Sequence, residues 1–116
     1  MKAGLVDGKH YTDYVETVKE LKRRDDLGKA ETLLLRLIQA VEEEARTEGW
    51  IVAPWYYQQL AIIYRKQRAT NKELEVLKRF ASQWHAQQNP LVDRLQKLEA
   101  LNEQKQNESQ KKVVKE

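Results

Sequence analysis

Cysteine is absent from the 116-residue chain, so neither a disulfide framework nor a thiolate metal site is available, and nothing demands an oxidising compartment. Histidine occurs twice (His10, His85) and serine twice (Ser82, Ser109), which leaves hardly any nucleophile or general base from which to build an active site. There is no glycine-rich phosphate loop, and no apolar run approaches the roughly 20 residues that span a bilayer. Met1 to Lys9 holds only Leu5 and Val6 as large aliphatics before Asp7, too short a run for a signal-peptide core. These absences predict a cytoplasmic protein with no membrane segment, no cofactor and no metal, and one that is not an enzyme. His10 reads as a solvated residue or an N-terminal contact, and His85 as a surface residue near a helix end. The carboxylates Glu42, Glu43, Glu44 and Glu48 read as a solvated face, because consecutive helical residues point in different directions.

Helix breakers are also scarce. The glycines stand at 4, 8, 28 and 49 and the prolines at 54 and 90, so the segments between them can be helical throughout. A length of 116 residues allows one domain, whose core buries only about two-thirds of the surface exposed by the unfolded chain. Charged residues make up 34% of the chain, with both signs interleaved to a net +3, weak grounds for a polyanion partner.

Apolar spacing predicts five helices. The first opens at Thr12 or Asp13 and carries Tyr14, Val15, Val18 and Leu21 on one stripe, with Arg23 and Arg24 suited to its C-terminal dipole. The second runs from about Leu27 to Glu48, with Leu34, Leu37, Ile38 and Val41 on its apolar face and Gly49 as its stop. Gly49-Trp50-Ile51-Val52 is an apolar linker expected to pack against the domain. The third, about Pro54 to Arg68, begins at a proline and is apolar on two sides. Thr70-Asn71-Lys72-Glu73 reads as a capping box opening the fourth, with Leu74, Leu77, Phe80 and Trp84 at helical spacing. Asn89-Pro90 opens a fifth along Leu91, Leu95, Leu98 and Leu101. The expected organisation is a flexible segment over 1–9, a helical domain over 10–101 and a frayed or disordered charged tail over 102–116.

Helices one and two look like a variant of helices three and four. Tyr57, Leu60, Ala61, Tyr64, Leu77 and Phe80 resemble the signature of the tetratricopeptide repeat family, and Tyr14, Val18, Leu21, Leu27, Ala30, Leu34 and Leu37 stand in the matching places of the first copy. The copies are offset by 43 residues against about 34 in the family, Glu73 stands where a small residue is usual, and Thr17 replaces the first leucine. The resemblance implies an all-α fold: antiparallel helix pairs stacked as a short right-handed solenoid, with the fifth of about five helices capping the last repeat. It also implies that the first helix of each pair lines a concave groove. Transferred position by position, that groove comprises Glu16, Lys19, Lys22 and Arg23 from the first copy and Trp55, Gln58, Gln59, Ile62, Arg65 and Lys66 from the second.

Such a surface suits an extended or helical partner segment with acidic residues and one or two apolar anchors, so the expected role is that of a small adaptor or regulatory subunit. Trp55 and Ile62 equally suit packing beneath the first pair, which would leave no groove. Reversal of charge at Arg65 and Lys66 is expected to abolish binding and leave helicity intact. Homodimerisation through an open solenoid end, involving the leucines of the fifth helix, is a companion expectation. The alternative is a nucleic-acid-binding accessory protein using the basic and aromatic surface around 55–79, and oligonucleotide binding at low salt discriminates the two.

Overall fold

The computed structural model describes residues 3–83 and 89–114, with side chains in the last helix described as far as residue 104. Trp84 and His85 lie outside the described residues. Among the described residues the fold is all-α apart from one short N-terminal hairpin. Its strands are β1 (Leu5–Val6) and β2 (Lys9–His10), and a 3-10 turn (Tyr11–Tyr14) leads into α1 (Val15–Arg23). Helices α2 (Leu27–Glu48), α3 (Pro54–Lys66), α4 (Thr70–Ala81) and α5 (Pro90–Val114) follow. Each helix packs on the next in chain order.

The hairpin falls largely within the segment over 1–9, for which a flexible chain is expected. Asp7 and Gly8 form its two-residue loop with φ of 50° and 82°, the left-handed pair that matches the twist of antiparallel strands. Val6 is buried, the Asp7 carboxylate accepts from Arg36 at 2.7 Å, and the Tyr14 hydroxyl donates to the Val6 carbonyl at 2.6 Å. The hairpin therefore lies along α2. His10 then caps the 3-10 turn through Nδ1, which delays the start of α1 to Val15.

Helix α2 buries Leu34, Leu37, Ile38 and Val41, the face expected from its spacing. It ends at Gly49, whose φ of 69° is left-handed, and the amide of Trp50 closes back on the Ala45 carbonyl at 2.9 Å. In the linker only Val52 is buried. Trp50 and Ile51 are 56% and 66% exposed, because the chain must turn immediately after Gly49 and a single inward side chain suffices to anchor it.

Two turns are equivalent bond for bond. In the first, Asp25 has φ of 59°, the Arg24 amide donates to Glu20, the Asp25 amide to Lys22 and the Asp26 amide to Leu21. In the second, Arg68 has φ of 56°, the Gln67 amide donates to Ile63, the Arg68 amide to Arg65 and the Ala69 amide to Tyr64. Every partner in the second set lies 43 positions after its counterpart in the first. The offset seen between the two halves of the sequence is thus an offset between two copies of one backbone turn. The same turn ends α3 at Lys66, short of the Arg68 expected, since a left-handed residue cannot continue a helix.

The capping box at Thr70 does not form. Ala69 occupies the cap position without a side-chain bond, and Glu73 turns inward to 2% exposure. At the start of α5 the expected cap is present: the Leu91 amide donates to Asn89 Oδ1 at 2.9 Å. Leu91, Leu95 and Leu98 are buried against the domain and Leu101 is exposed. Those three leucines are occupied by the contact of α5 with α4, so they do not form an open dimerisation strip. The helical backbone continues to Val114, where a frayed tail was expected from 102; the segment is rich in Glu, Gln and Lys and contains no breaker.

Candidate functional site

The groove positions divide into two groups. On α1 and α3, Lys22 donates through Nζ to Gln59 Oε1, joining the two first helices of the repeated pairs. Lys66 lies close enough for its charge to act on Lys22, whose amine is held below the usual lysine range first by burial and then by that like charge. Lys19, Lys22 and Arg23 line an open cavity of about 420 Å³. Among the described residues Lys19 and Arg23 pair within their own helix, with Glu16 at 3.5 Å and Glu20 at 3.4 Å. Among the described residues neither Lys22 nor Lys66 has a carboxylate partner.

Arg65 is paired with a carboxylate. Its guanidinium donates to Glu73 Oε2 at 3.2 and 3.3 Å, and Arg94 of α5 donates to the same oxygen at 3.1 Å. One buried carboxylate thus ties α3 and α5 to α4. Sequence reasoning placed Arg65 in the groove and Glu73 in a capping box; a Thr-x-x-Glu pattern reads identically whether its glutamate turns back to the cap or inward to another helix. Trp55 and Ile62 are both half-buried. The Trp55 ring meets Tyr56 edge-on at 5.0 Å and rests against the core, while Gln58 is exposed beside it.

The other acidic side chains near the aromatics are engaged in the same manner. The hydroxyls of Tyr64 and Tyr57 donate to Glu31 and Glu42, each at 2.7 Å. Glu42 also receives Arg79 on both oxygens at 2.8 and 2.9 Å, and this bond raises the Arg79 pKa. Glu44, two residues on, accepts from Tyr11 at 2.9 Å and lies 2.6 Å from His10 Nε2. Glu42 and Glu44 are therefore not part of the solvated face expected of this run: each turns inward to a different neighbour, because residues two apart on a helix point in different directions. His10 is an N-terminal contact: Nδ1 faces Thr12 Oγ1 at 2.8 Å and accepts from the Thr12 amide at 3.4 Å, leaving Nε2–H to donate to Glu44. Carboxylate, imidazole and hydroxyl stand in the order of a general-base relay, but the amide bond to Nδ1 makes the imidazole a helix cap here. A Cβ on Gly4, whose φ is 83°, would lie 2.5 Å from Glu44 Oε2, so the hairpin backbone closes directly over this pair.

These pairings bear on the basic stretch. Arg65 and Arg79 are joined to Glu73 and Glu42, and Lys72 lies 3.7 Å from Glu31 with its amine over the Tyr64 ring. Tyr57 and Tyr64 are core, so neither ring offers a face for stacking a base.

Charge reversal at Arg65 is accordingly expected to be a stability mutation. Arg65→Glu sets a second carboxylate against Glu73, which is 2% exposed. Breaking a buried pair costs about 3–5 kcal/mol. With Arg94 still in place and Arg65 half-exposed, a loss of about 1–3 kcal/mol is expected. Lys66→Glu, at an exposed position, is expected to change stability by less than about 0.5 kcal/mol. Urea denaturation of the two single variants separates them, and equal midpoints would remove the structural role given to Glu73.

Compared with protein-family models, with curated proteins and with solved structures, the chain matches none of them.

Proposed function

We propose that this chain is a small tetratricopeptide-like interaction module that binds a partner segment along the exposed sides of α1 and α3. In this reading the two helix hairpins are the repeats of a short right-handed solenoid, the N-terminal hairpin covers α2 at one end and α5 covers α4 at the other. The protein works by binding in the cytoplasm, as an adaptor or regulatory subunit, with no catalytic step. The observation that carries the reading is the contrast in charge pairing. The carboxylates of α2 and α4 neutralise Arg65, Lys72 and Arg79, whereas Lys22, which bonds to Gln59, and Lys66, on the first helices of the two pairs, have no carboxylate partner among the described residues. Trp55 and Ile62, half-buried on α3, supply apolar surface on the same helix, and Lys19, Arg23, Gln58 and Gln59 complete a donor-rich surface. An acidic segment with one or two apolar anchors complements it.

The test is capture of partners from nuclease-treated native lysate with the wild type, with Lys22→Glu/Lys66→Glu and with Lys78→Glu, an exposed cation on α4. A protein retained by wild type and by the Lys78 variant and lost with the double reversal is the expected result. Equal retention by all three excludes this surface.

A further inference from the structure

The equivalence of the two turns permits a residue-by-residue comparison of the pairs. Forty-three positions separate Lys22 from Arg65 and Ala30 from Glu73, so the same place on the first helix carries a cation in both copies. In the second copy that cation meets Glu73, which Arg94 shares, making a cation–carboxylate–cation arrangement. In the first copy the glutamate is replaced by Ala30, which is fully buried and supplies no charge. Among the described residues Lys22 is left with the neutral Gln59 as its side-chain partner, and Lys66 lies within reach of it as a second cation that has no carboxylate.

We propose that Lys22, Lys66 and Gln59 form a subsite for a phosphate monoester, carried on a serine or threonine of the segment bound along α1 and α3. The inference rests on the function proposed above and specifies its chemistry. Two ammonium groups without a carboxylate partner among the described residues offer two positive charges to a ligand. A lone carboxylate or a phosphodiester meets one, whereas a phosphate monoester carries about −1.5 to −2 near neutral pH and presents three acceptor oxygens. The donors match: each ammonium has three N–H bonds, of which Lys22 gives one to Gln59 Oε1, and the Gln59 amide nitrogen brings two more. The cavity lined by Lys19, Lys22 and Arg23 leaves the Lys22 side of the subsite open to solvent. The Lys22 amine is held down first by burial and then by the Lys66 charge, and a bound dianion offsets both.

The test is a titration of the full chain, followed through the side-chain NMR signals of its lysines at constant ionic strength and about pH 7.5, where the monoester is mostly dianionic. The probes are N-acetyl-O-phosphoserine amide, inorganic phosphate, dimethyl phosphate and acetate. The expected result is saturable shifts at Lys22 and Lys66 with the first two probes, at least about tenfold tighter than with the last two, and abolished in Lys22→Gln and Lys66→Gln. Both variants should keep the wild-type backbone spectrum. Equal affinity for acetate, or small shifts shared by every lysine, overturns the subsite. Equal affinity for dimethyl phosphate overturns it in favour of a nucleic-acid backbone. Phosphatase treatment of the lysate before capture separates the two proposals: capture that survives treatment but still fails with the Lys22/Lys66 reversal removes the phosphate and leaves the interaction surface standing.

Discussion

Raising the pH from about 9 to about 11.5 is expected to remove much of the stability of this domain, because its inner tyrosines ionise less readily in the folded than in the unfolded chain. Burial pushes the hydroxyl of Tyr56 up to about 12, with the Glu44 charge adding to the effect. Burial raises Tyr57, Tyr64 and Tyr11 further, each reinforced by the carboxylate that accepts its hydrogen bond: Glu42, Glu31 and Glu44. In the unfolded chain all four titrate near pH 10. Their folded values are raised, so their contribution is fully present below about pH 10 and is lost as pH climbs toward the folded values. Above about pH 10 each fully retained proton costs the native state roughly 1.4 kcal/mol per pH unit. With Tyr11 discounted for its partial exposure, the sum is roughly 4 kcal/mol per unit, comparable with the whole stability of a small domain. Lys22 acts in the opposite sense, since its value is lowered, but it is one partly exposed amine against several phenols. Urea denaturation at a series of pH values, with tyrosinate absorbance recorded alongside helical circular dichroism, measures the effect. Tyr57→Phe and Tyr64→Phe should flatten the slope. Tyrosinate absorbance that rises while the helical signal holds would contradict the burial of these hydroxyls.

Leu77→Ala is expected to cost about 2–5 kcal/mol, the range for deleting most of a large aliphatic side chain from a site that cannot collapse. Leu77 is fully buried on α4, on the same helix face as Leu74 and Phe80, and the Phe80 ring meets Tyr57 edge-on at 5.2 Å. Helix α4 is held between α3 and α5, so the space left by the deleted methyls has helices on both sides. The matched control is Leu101→Ala. That side chain is 53% exposed, and its truncation should lie within about 0.5 kcal/mol of wild type. Thermal denaturation of the pair gives the comparison, with a melting temperature for Leu77→Ala lower by roughly 10–20 °C. Equal melting temperatures would mean that α4 does not present this face to the core.

Much of the fold is legible in the sequence because the signals concerned are local. A leucine or aromatic every three or four residues makes an apolar stripe only on a helix, and Gly49 and the Asn89-Pro90 pair mark ends that the structure keeps. The Asp7-Gly8 dipeptide between Leu5-Val6 and Lys9-His10 carries an equally local hairpin signal, which a reading for helical periodicity passes over. The exposure of Trp50 and Ile51 is a different matter. A four-residue apolar linker has no period by which its inward residue could be recognised, and only the direction in which α3 departs selects Val52.

The candidate site divides along the same line. The groove positions follow from a repeat offset that the backbone turns reproduce, yet their chemistry depends on pairings over long separations: Lys22 with Gln59, Glu42 with Arg79, Glu73 with Arg94. No rule of helical spacing reaches beyond about four residues. The sequence by itself determined the helices, their apolar faces, the repeat and the near absence of catalytic side chains, since each is a property of composition or short-range order. Only the tertiary structure decided which of its cations are neutralised: whether a lysine or arginine meets a carboxylate depends on which helix lies alongside, and at Lys22 and Arg65 the same repeat position reaches opposite answers because one copy has Ala30 where the other has Glu73.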